Sequence, residues 1–327
     1  MTCILVTGGA GYVGSHACKA LQTAGYTPVT FDNLGTGWRD AVKFGPFEKG
    51  DLRDSHRLDE VFRLYRPEAI MHFAGLSQVG DSMRDPGTYW DNNLGGTCTL
   101  LRSAVKARCM RIVFSSTCAT YGDQDRVVLD ESCPQNPVNA YGASKRAVEE
   151  MLRDFERSHG IAHVVFRYFN VAGADQEAQI GEYHRPETHL IPLVLEAIAG
   201  KRDAITIYGN DYDTPDGTCI RDYVHVSDLV KAHVLGLEWL INDRESQVFN
   251  LGTGTGFSVR EVIRHSAVLT NGRVTVLEGS RRPGDCARLV SGSAKAERLL
   301  GWQPDRSTLE CMIKDAWRWH RTGHYAE

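Results

Sequence analysis

No apolar run in this chain approaches the roughly 20 residues a membrane-spanning helix needs, so association with a membrane is not expected. An excess of either charge is also missing. The 37 Lys+Arg stand against 41 Asp+Glu for a net charge of −4, and no basic run stands out, so nucleic acid is not an expected partner. The nine cysteines are scattered and form no Cys-x-x-Cys pair. An odd count without metal-type spacing reads as free thiols in a reducing compartment, and it offers no metal site. Internal repeats and low-complexity linkers are absent as well. Residues 2–8 read as a buried strand, which leaves no room for a signal peptide. These absences describe a cytoplasmic, enzyme-sized protein.

A length of 327 residues suits two domains, or one large domain with a smaller lobe. Short apolar, β-branched runs without alternation occur at 3–7, 27–31, 69–73, 111–115 and 162–167. Such runs are expected of strands buried on both faces of a parallel sheet. Helical stretches lie between them at about 12–25, 54–65, 91–108 and 141–159. The alternation predicts an α/β fold, a Rossmann-type doubly wound parallel sheet. From about residue 171 the rhythm breaks. An irregular segment at 173–189 precedes a helix at 190–200, a strand at 204–208, a turn-rich stretch at 209–217 and helices at 226–241 and 258–269, with an apolar run at 247–251 between the last two. The expected division is a dinucleotide-binding domain over 1–170, completed by a segment near 222–245, and a smaller α/β substrate lobe over 171–327.

Gly8-x-x-Gly11-x-x-Gly14 sits between a predicted strand and a predicted helix, the context a dinucleotide fingerprint requires. The glycines permit a tight turn, and the helix N-terminus opened by Tyr12 and Val13 faces the pyrophosphate. Asp32 ends the second strand 18 residues after Gly14, where a carboxylate accepts hydrogen bonds from ribose hydroxyls and repels the extra phosphate of NADP. The expected cofactor is therefore NAD. Asn33 follows Asp32. Asp51, with Leu52, reads either as a contact to the adenine edge or as an N-cap for the next helix. Phe73, Ala74 and Gly75 end another strand, where the cofactor can pass close to backbone.

The second informative element is Tyr141-Gly-Ala-Ser-Lys145, which puts a phenol and an ammonium on one face of a helix. A lysine cation near a tyrosine favours the phenolate, so the tyrosine can take and return a proton near neutral pH. Ser115-Ser116-Thr117 closes the preceding strand. Together with the blocks 7–14, 72–76, 115–122, 167–170, 187–192, 209–226 and 281–285, this pattern resembles the extended, sugar-nucleotide-modifying branch of the short-chain dehydrogenase/reductase superfamily. Within that branch it is similar to the UDP-hexose 4-epimerases, and the resemblance spans essentially the whole chain.

That resemblance implies roles for individual residues. Tyr141 is the acid/base at the sugar O4, Thr117 hydrogen-bonds the same oxygen, and Lys145 holds the nicotinamide ribose and lowers the tyrosine pKa. Asn92 and Ser115 support the cofactor, with Tyr168 and Phe169 near the nicotinamide. Asn170 contacts the substrate phosphate, while His189, Leu190, Thr206 and Tyr208 lie around the nucleotide. Arg221 and Arg282 clamp the diphosphate, a task suited to planar, permanently charged guanidinium groups, and Asp285 binds the uridine ribose. Read without the resemblance, Arg221 is a structural ion pair with Asp222 or another acid, and Arg281-Arg282 is a solvated pair.

The activity implied is NAD-dependent interconversion of UDP-glucose and UDP-galactose through a transient 4-keto sugar, with NAD kept between turnovers and a homodimer as the assembly. The Asp-Glu pair that dehydrating relatives carry is replaced here by Cys118 and Ala119. Leu289 stands where the best-known members carry a bulky tyrosine, so an N-acetylhexosamine substrate stays open, as does a UDP-pentose. A non-catalytic NAD(H) sensor is the reading from a different class. The pathway, galactose breakdown or supply of polysaccharide precursors, is not decided by these residues.

Overall fold

The structure is a computed structural model that describes residues 2–124, 126, 128–282, 285–323 and 325. Its strands are β1 (Cys3–Thr7), β2 (Thr27–Asp32), β3 (Phe47–Lys49), β4 (Ala69–His72), β5 (Arg111–Ser115), β6 (Ala162–Tyr168), β7 (Asn170–Ala172), β8 (Ile205–Tyr208), β9 (Ile220–His225), β10 (Gln247–Leu251), β11 (Gly256–Ser258), β12 (Val276–Gly279) and β13 (Arg288–Leu289). A seven-stranded parallel sheet runs in the order β10-β6-β5-β4-β1-β2-β3. Its order reverses between β1 and β4, and the crevice beyond those strand ends is where an open α/β sheet binds its ligand.

Both faces of this sheet are covered, which is why its strands read as unbroken apolar runs. On one face Ala17, Cys18 and Leu21 of helix Tyr12–Thr23 pack with Leu229, Leu237 and Leu240 of helix Val226–Ile241. On the other, Leu58, Val61 and Phe62 of helix Ser55–Tyr65 meet Leu100, Leu101 and Ala104 of helix Gly96–Ala107, with Val148 and Leu152 of helix Ala140–His159. The observed helices match the expected ones to within a few residues. The stretch expected as a helix from 91 opens instead with a π-helical turn, Trp90–Gly95.

The chain leaves the large sheet at Tyr168, and after Phe169 it enters a second sheet at Asn170. There β9 pairs with β7 and β13 in parallel and with β11 antiparallel. A parallel pair, β8 and β12, lies apart. Strand β8 falls on the strand expected at 204–208; the strands of the second sheet, β12 and helices Ala294–Leu300 and Leu309–Thr322 are not anticipated by the sequence reading. The last of these carries Leu309, Met312, Ile313, Ala316 and Trp319 on one buried stripe. That spacing is a helical signal the reading passes over. From β9 the chain returns through helix Val226–Ile241 to β10, so the large sheet closes with a strand from the second half of the chain. Among the described residues no helix is long and apolar enough to cross a membrane.

Candidate active site

The glycine-rich loop joins β1 to the helix that starts at Tyr12. Gly8 has φ +75°, and a Cβ there would stand 2.5 Å from the backbone nitrogen of Ala74. Only glycine lets the ends of β1 and β4 come this close. Gly11 is the N-cap and brings no side-chain cap to the first turn. The orphan N–H groups of that turn remain available to an anion. Asp32 accepts from the backbone N–H groups of Ala10 (3.0 Å) and Leu34 (2.8 Å), which fixes its carboxylate at the rim of the loop. Burial raises its pKa against those two bonds. Cleared backbone, a free helix N-terminus and a carboxylate at the rim fit a dinucleotide.

Other residues expected on the cofactor side differ in how closely they are held. Asp51 is not the N-cap of the next helix. That duty falls to Asp54, which accepts from Arg57 N at 3.0 Å. Asp51 instead pairs with Arg53 at 2.8 Å and accepts from Asn33 Nδ2 at 3.0 Å, and the neighbouring guanidinium holds its carboxyl well below the usual range. Leu52 is buried, whereas Phe73, Ala74 and Gly75 line the crevice half-buried. Asn92 is half-buried and donates to Asn93 Oδ1 at 3.1 Å. The buried amide is Asn93, which the sequence reading does not single out. It bonds both the N–H and the C=O of Leu76 and donates to Ser144 Oγ, tying the end of β4 to helix Ala140–His159.

That helix is capped by Asn139, whose side chain accepts from Gly142 N at 2.8 Å. A Cβ on Gly142 would lie 2.5 Å from the carbonyl oxygen of Ala119, so the helix start abuts the turn carrying Thr117. Tyr141 and Thr117 are thereby brought together, with the Thr117 hydroxyl near enough to the phenol to lower its pKa. Lys145 Nζ donates to the carbonyl oxygen of Ser115 (2.9 Å) and sits 4.8 Å from the Phe114 ring centroid. Ser115 Oγ is hydrogen-bonded to the Tyr168 hydroxyl. Thus Ser115, Thr117, Tyr141, Lys145 and Tyr168 gather beside Gly75 at the end of the sheet.

The electrostatic balance corrects one expectation. Lys145 is expected to pull the Tyr141 pKa down, yet within the protein itself desolvation dominates and the phenol is pushed up to about 12, against the Thr117 hydroxyl. Burial of the Lys145 ammonium lowers its pKa to about 8, partly offset by the Glu149 carboxylate one turn away. The ammonium is turned to the Ser115 carbonyl rather than to the phenol.

Beneath these groups lies a buried polar network the sequence reading does not foresee. Arg167 forms a bidentate pair with Glu149 and donates to the Tyr121 hydroxyl at 2.9 Å, while Ser116 and Gln135 donate to the same carboxylate. The side chains of Arg167 and Glu149 are 4% and 1% exposed.

The residues expected on the substrate side sit on the smaller sheets and the connection before helix Leu190–Ile198. Asn170 Nδ2 donates to the carbonyl of Asp222 at 3.3 Å. Arg221 bonds the carbonyls of Ile220 and Cys286 and reaches Asp285 at 3.3 Å, so its acidic partner is Asp285 and not Asp222. Arg282 lies 3.9 Å above the ring of Tyr208, and Arg281 pairs with Asp211 at 2.7 Å. Thr206 is half-buried in β8, and Leu190 opens the helix that His189 precedes. His189 is engaged with Glu182. Leu289 sits in β13 opposite Arg221, half-buried. Cys118 is buried against Ser291, its thiol pKa raised. Tyr12, besides opening the first helix, donates from its hydroxyl to the Gly173 carbonyl at 2.6 Å, which joins the glycine-rich loop to the second half of the chain.

Residues 4–252 match the NAD dependent epimerase/dehydratase family. A UDP-glucose 4-epimerase of Rhizobium meliloti (strain 1021) is 48% identical over 317 residues, covering 97% of this chain and 96% of that protein. Among solved structures, UDP-glucose 4-epimerase from Brucella ovis in complex with NAD superposes with a TM-score of 0.96 at 45% identity, covering 99% of each chain. UDP-glucose 4-epimerase from Bifidobacterium longum in complex with NAD+ and UDP follows at a TM-score of 0.93 and 36% identity, covering 98% of each chain.

Proposed function

Because the chain belongs to the NAD dependent epimerase/dehydratase family, we propose that its site interconverts UDP-glucose and UDP-galactose as a UDP-glucose 4-epimerase. The observation that carries this reading is the meeting of Tyr141, Lys145, Thr117 and Ser115 at the strand-order reversal beside the Gly8 loop. Gly8, Gly11, Tyr12, Val13, Gly14, Asp32, Asn33, Asp51, Leu52, Phe73, Ala74, Gly75, Asn92, Ser115, Tyr141, Lys145, Tyr168 and Phe169 hold NAD. Bound NAD supplies an acceptor, and then a donor, of the hydride at the sugar C4. We divide the chain accordingly. Residues 1–170, with the returning helix and β10, bind the cofactor; the rest of 171–327 binds the UDP-sugar.

The Tyr141 phenolate, which burial alone disfavours, would be favoured by the positive charge of bound NAD⁺ together with the Lys145 ammonium. Tyr141 then takes the proton of the sugar O4 and returns it, while Thr117 holds that oxygen through its hydroxyl. Lys145, anchored on the Ser115 carbonyl, keeps a cation beside the forming alkoxide. The 4-keto sugar then presents its other face to the same group, so the hexose must be loosely held and the binding energy must lie on the UDP. Asn170, His189, Leu190, Thr206, Tyr208, Arg221, Arg282 and Asp285 take that part. A groove of about 830 Å³ along helices Gly96–Ala107 and Ala140–His159, lined by Trp90, Leu94, Cys98, Ala147 and Met151, supports a homodimer packed through these helices. Nine free cysteines support residence in the reducing cytoplasm.

The test is incubation of the purified protein with UDP-galactose and no added NAD, following UDP-glucose formation alongside the protein's near-UV absorbance. Conversion establishes the epimerase with retained cofactor. No conversion even with NAD supplied overturns the reading.

A further inference from the structure

The connection between β7 and helix Leu190–Ile198 turns four side chains inward, Glu182, His184, Glu187 and His189. Each offers one ligand atom, and the four atoms lie within 4.8 Å of one another. We propose that this cluster is a binding site for a single divalent transition-metal ion of the zinc or cobalt type.

The spacing carries the argument. His184 Nδ1 stands 3.3 Å from Glu182 Oε1 and 3.6 Å from Glu187 Oε2, and His189 Nδ1 stands 3.7 Å from Glu187 Oε1. A tetrahedral ion with bonds of about 2.1 Å holds neighbouring ligand atoms about 3.4 Å apart. The two edges at His184 Nδ1 are therefore already close to the required length, and His189 Nδ1 comes equally near Glu187 through that carboxylate's other oxygen. The contact of His189 with Glu182 is a hydrogen bond of 2.5 Å, and it must open by about 1 Å to seat an ion. Both imidazoles present Nδ1 to the centre. His184 Nδ1 is closed off from solvent without a well-formed hydrogen bond, although it faces two carboxylates.

The donor set selects the ion. Two imidazole nitrogens and two carboxylates suit zinc and its first-row neighbours, whereas an all-oxygen set would suit calcium or magnesium. Two carboxylates balance a divalent charge when both imidazoles are neutral ligands. The carboxylates form the inner wall, their side chains 6% exposed, and the imidazoles of His184 and His189 form the outer wall, 24% and 46% exposed. An ion can enter between the rings. The main chain behind the cluster is already fixed, since Trp319 Nε1 donates to the Glu182 carbonyl at 2.8 Å.

A bound ion would pin residues 182–189 between the Tyr12 ring, which meets His184 edge-on at 6.5 Å, and the helix after His189. Of the four ligands only His189 also has a role in the proposed reaction, and the readout is the metal's own spectrum, which does not depend on turnover. The untagged full-length protein, stripped with a chelator, is titrated with Co2+. We expect one equivalent to give the intense visible bands of a four-coordinate Co2+ ion, and one equivalent of Zn2+ to abolish them and raise the Tm. His184→Ala, on the accessible side, and Glu187→Gln, which keeps the shape of the inner-wall ligand, should lose the bands, whereas a control at the exposed His56, His56→Ala, should keep them. Absence of bands in the wild-type protein overturns the proposal, as do bands that survive His184→Ala or vanish in His56→Ala.

Discussion

Replacing Tyr141 by phenylalanine removes one oxygen from a site whose remaining parts are fixed independently. Thr117 keeps its bond to Ala119 N at 3.1 Å, and Lys145 keeps the Ser115 carbonyl at 2.9 Å. Loss of the phenol's polar contact with Thr117 should cost no more than about 1 kcal/mol of stability, so the fold should tolerate the change with a Tm shift of a few degrees. Turnover should not. A positioned acid/base contributes about 10²–10⁴-fold, equivalent to about 3–5 kcal/mol in the barrier. We expect kcat for UDP-galactose to fall by that factor, KM to change by less than about threefold, and NAD to remain bound. The assay couples UDP-glucose formation to UDP-glucose dehydrogenase and records NADH. The raised pKa of Tyr141 gives a second, signed effect. Its contribution to stability is present below pH 10 and is lost as pH rises from 10 towards 12, so the variant should resist alkaline unfolding better than the parent in that window. A variant retaining more than about a tenth of wild-type turnover would refute the assignment of Tyr141 as the proton carrier.

Three further outcomes are expected. The Lys145 ammonium is lowered from 10.5 to about 8 by burial, a cost of about 3 kcal/mol at pH 7. Lys145→Met should therefore stabilise the NAD-free protein by about 2 kcal/mol after loss of the Ser115 bond, with the gain shrinking from pH 8 to 10.5 while turnover is lost; a gain that grows with pH contradicts the argument. Arg167→Met leaves the Glu149 carboxylate buried without its cation and should cost about 3 kcal/mol in urea unfolding, whereas a loss below about 1 kcal/mol would show that Ser116 and Gln135 suffice. Gly8→Ala drives a Cβ to 2.5 Å from Ala74 N at a φ of +75°, so the purified variant should lack NAD absorbance and unfold at lower temperature, and a variant isolated with a full NAD complement would count against the loop as its cradle.

The large sheet was legible because parallel strands covered on both faces must be apolar throughout, as residues 4–6 and 112–114 are. Strand β9 hid for the opposite reason. It carries Arg221 and Asp222, and Asp222 is buried only because the N–H groups of Thr253, Gly254 and Ser291 reach it from distant positions. The proposed reacting residues were legible where one local spacing placed them, as for Tyr141 and Lys145. Residues whose partners arrive through tertiary contact left no such mark. Asn93, not its neighbour Asn92, forms the buried link to Leu76 and Ser144, and nothing local separates the two amides. Glu149 and Arg167 are 18 residues apart and meet only because helix Ala140–His159 lies along β6. The raised Tyr141 pKa belongs to the same class, since desolvation is a property of the packed site and not of the spacing between two residues.

The two groups of site residues hang on different frameworks, and this division bears on how one acid/base can serve both faces of a sugar. Ser115, Thr117, Tyr141, Lys145 and Tyr168 belong to the large sheet and the helix beside it, locked underneath by Arg167 and Glu149. Arg221, Tyr208 and Thr206 belong to the smaller sheets, and Arg282 and Asp285 to the connection between β12 and β13. A single residue, Phe169, separates the last strand of one framework from the first strand of the other. Reaction at C4 needs the acid/base held to within fractions of an ångström, while reversal of the sugar needs the reacting ring to be held weakly. On the proposed function, rigid proton chemistry on the large sheet and polyanion recognition on the small one would satisfy both demands. The hexose would span the gap without a tight pocket of its own, and the proposed diphosphate clamp would keep it attached while it turns.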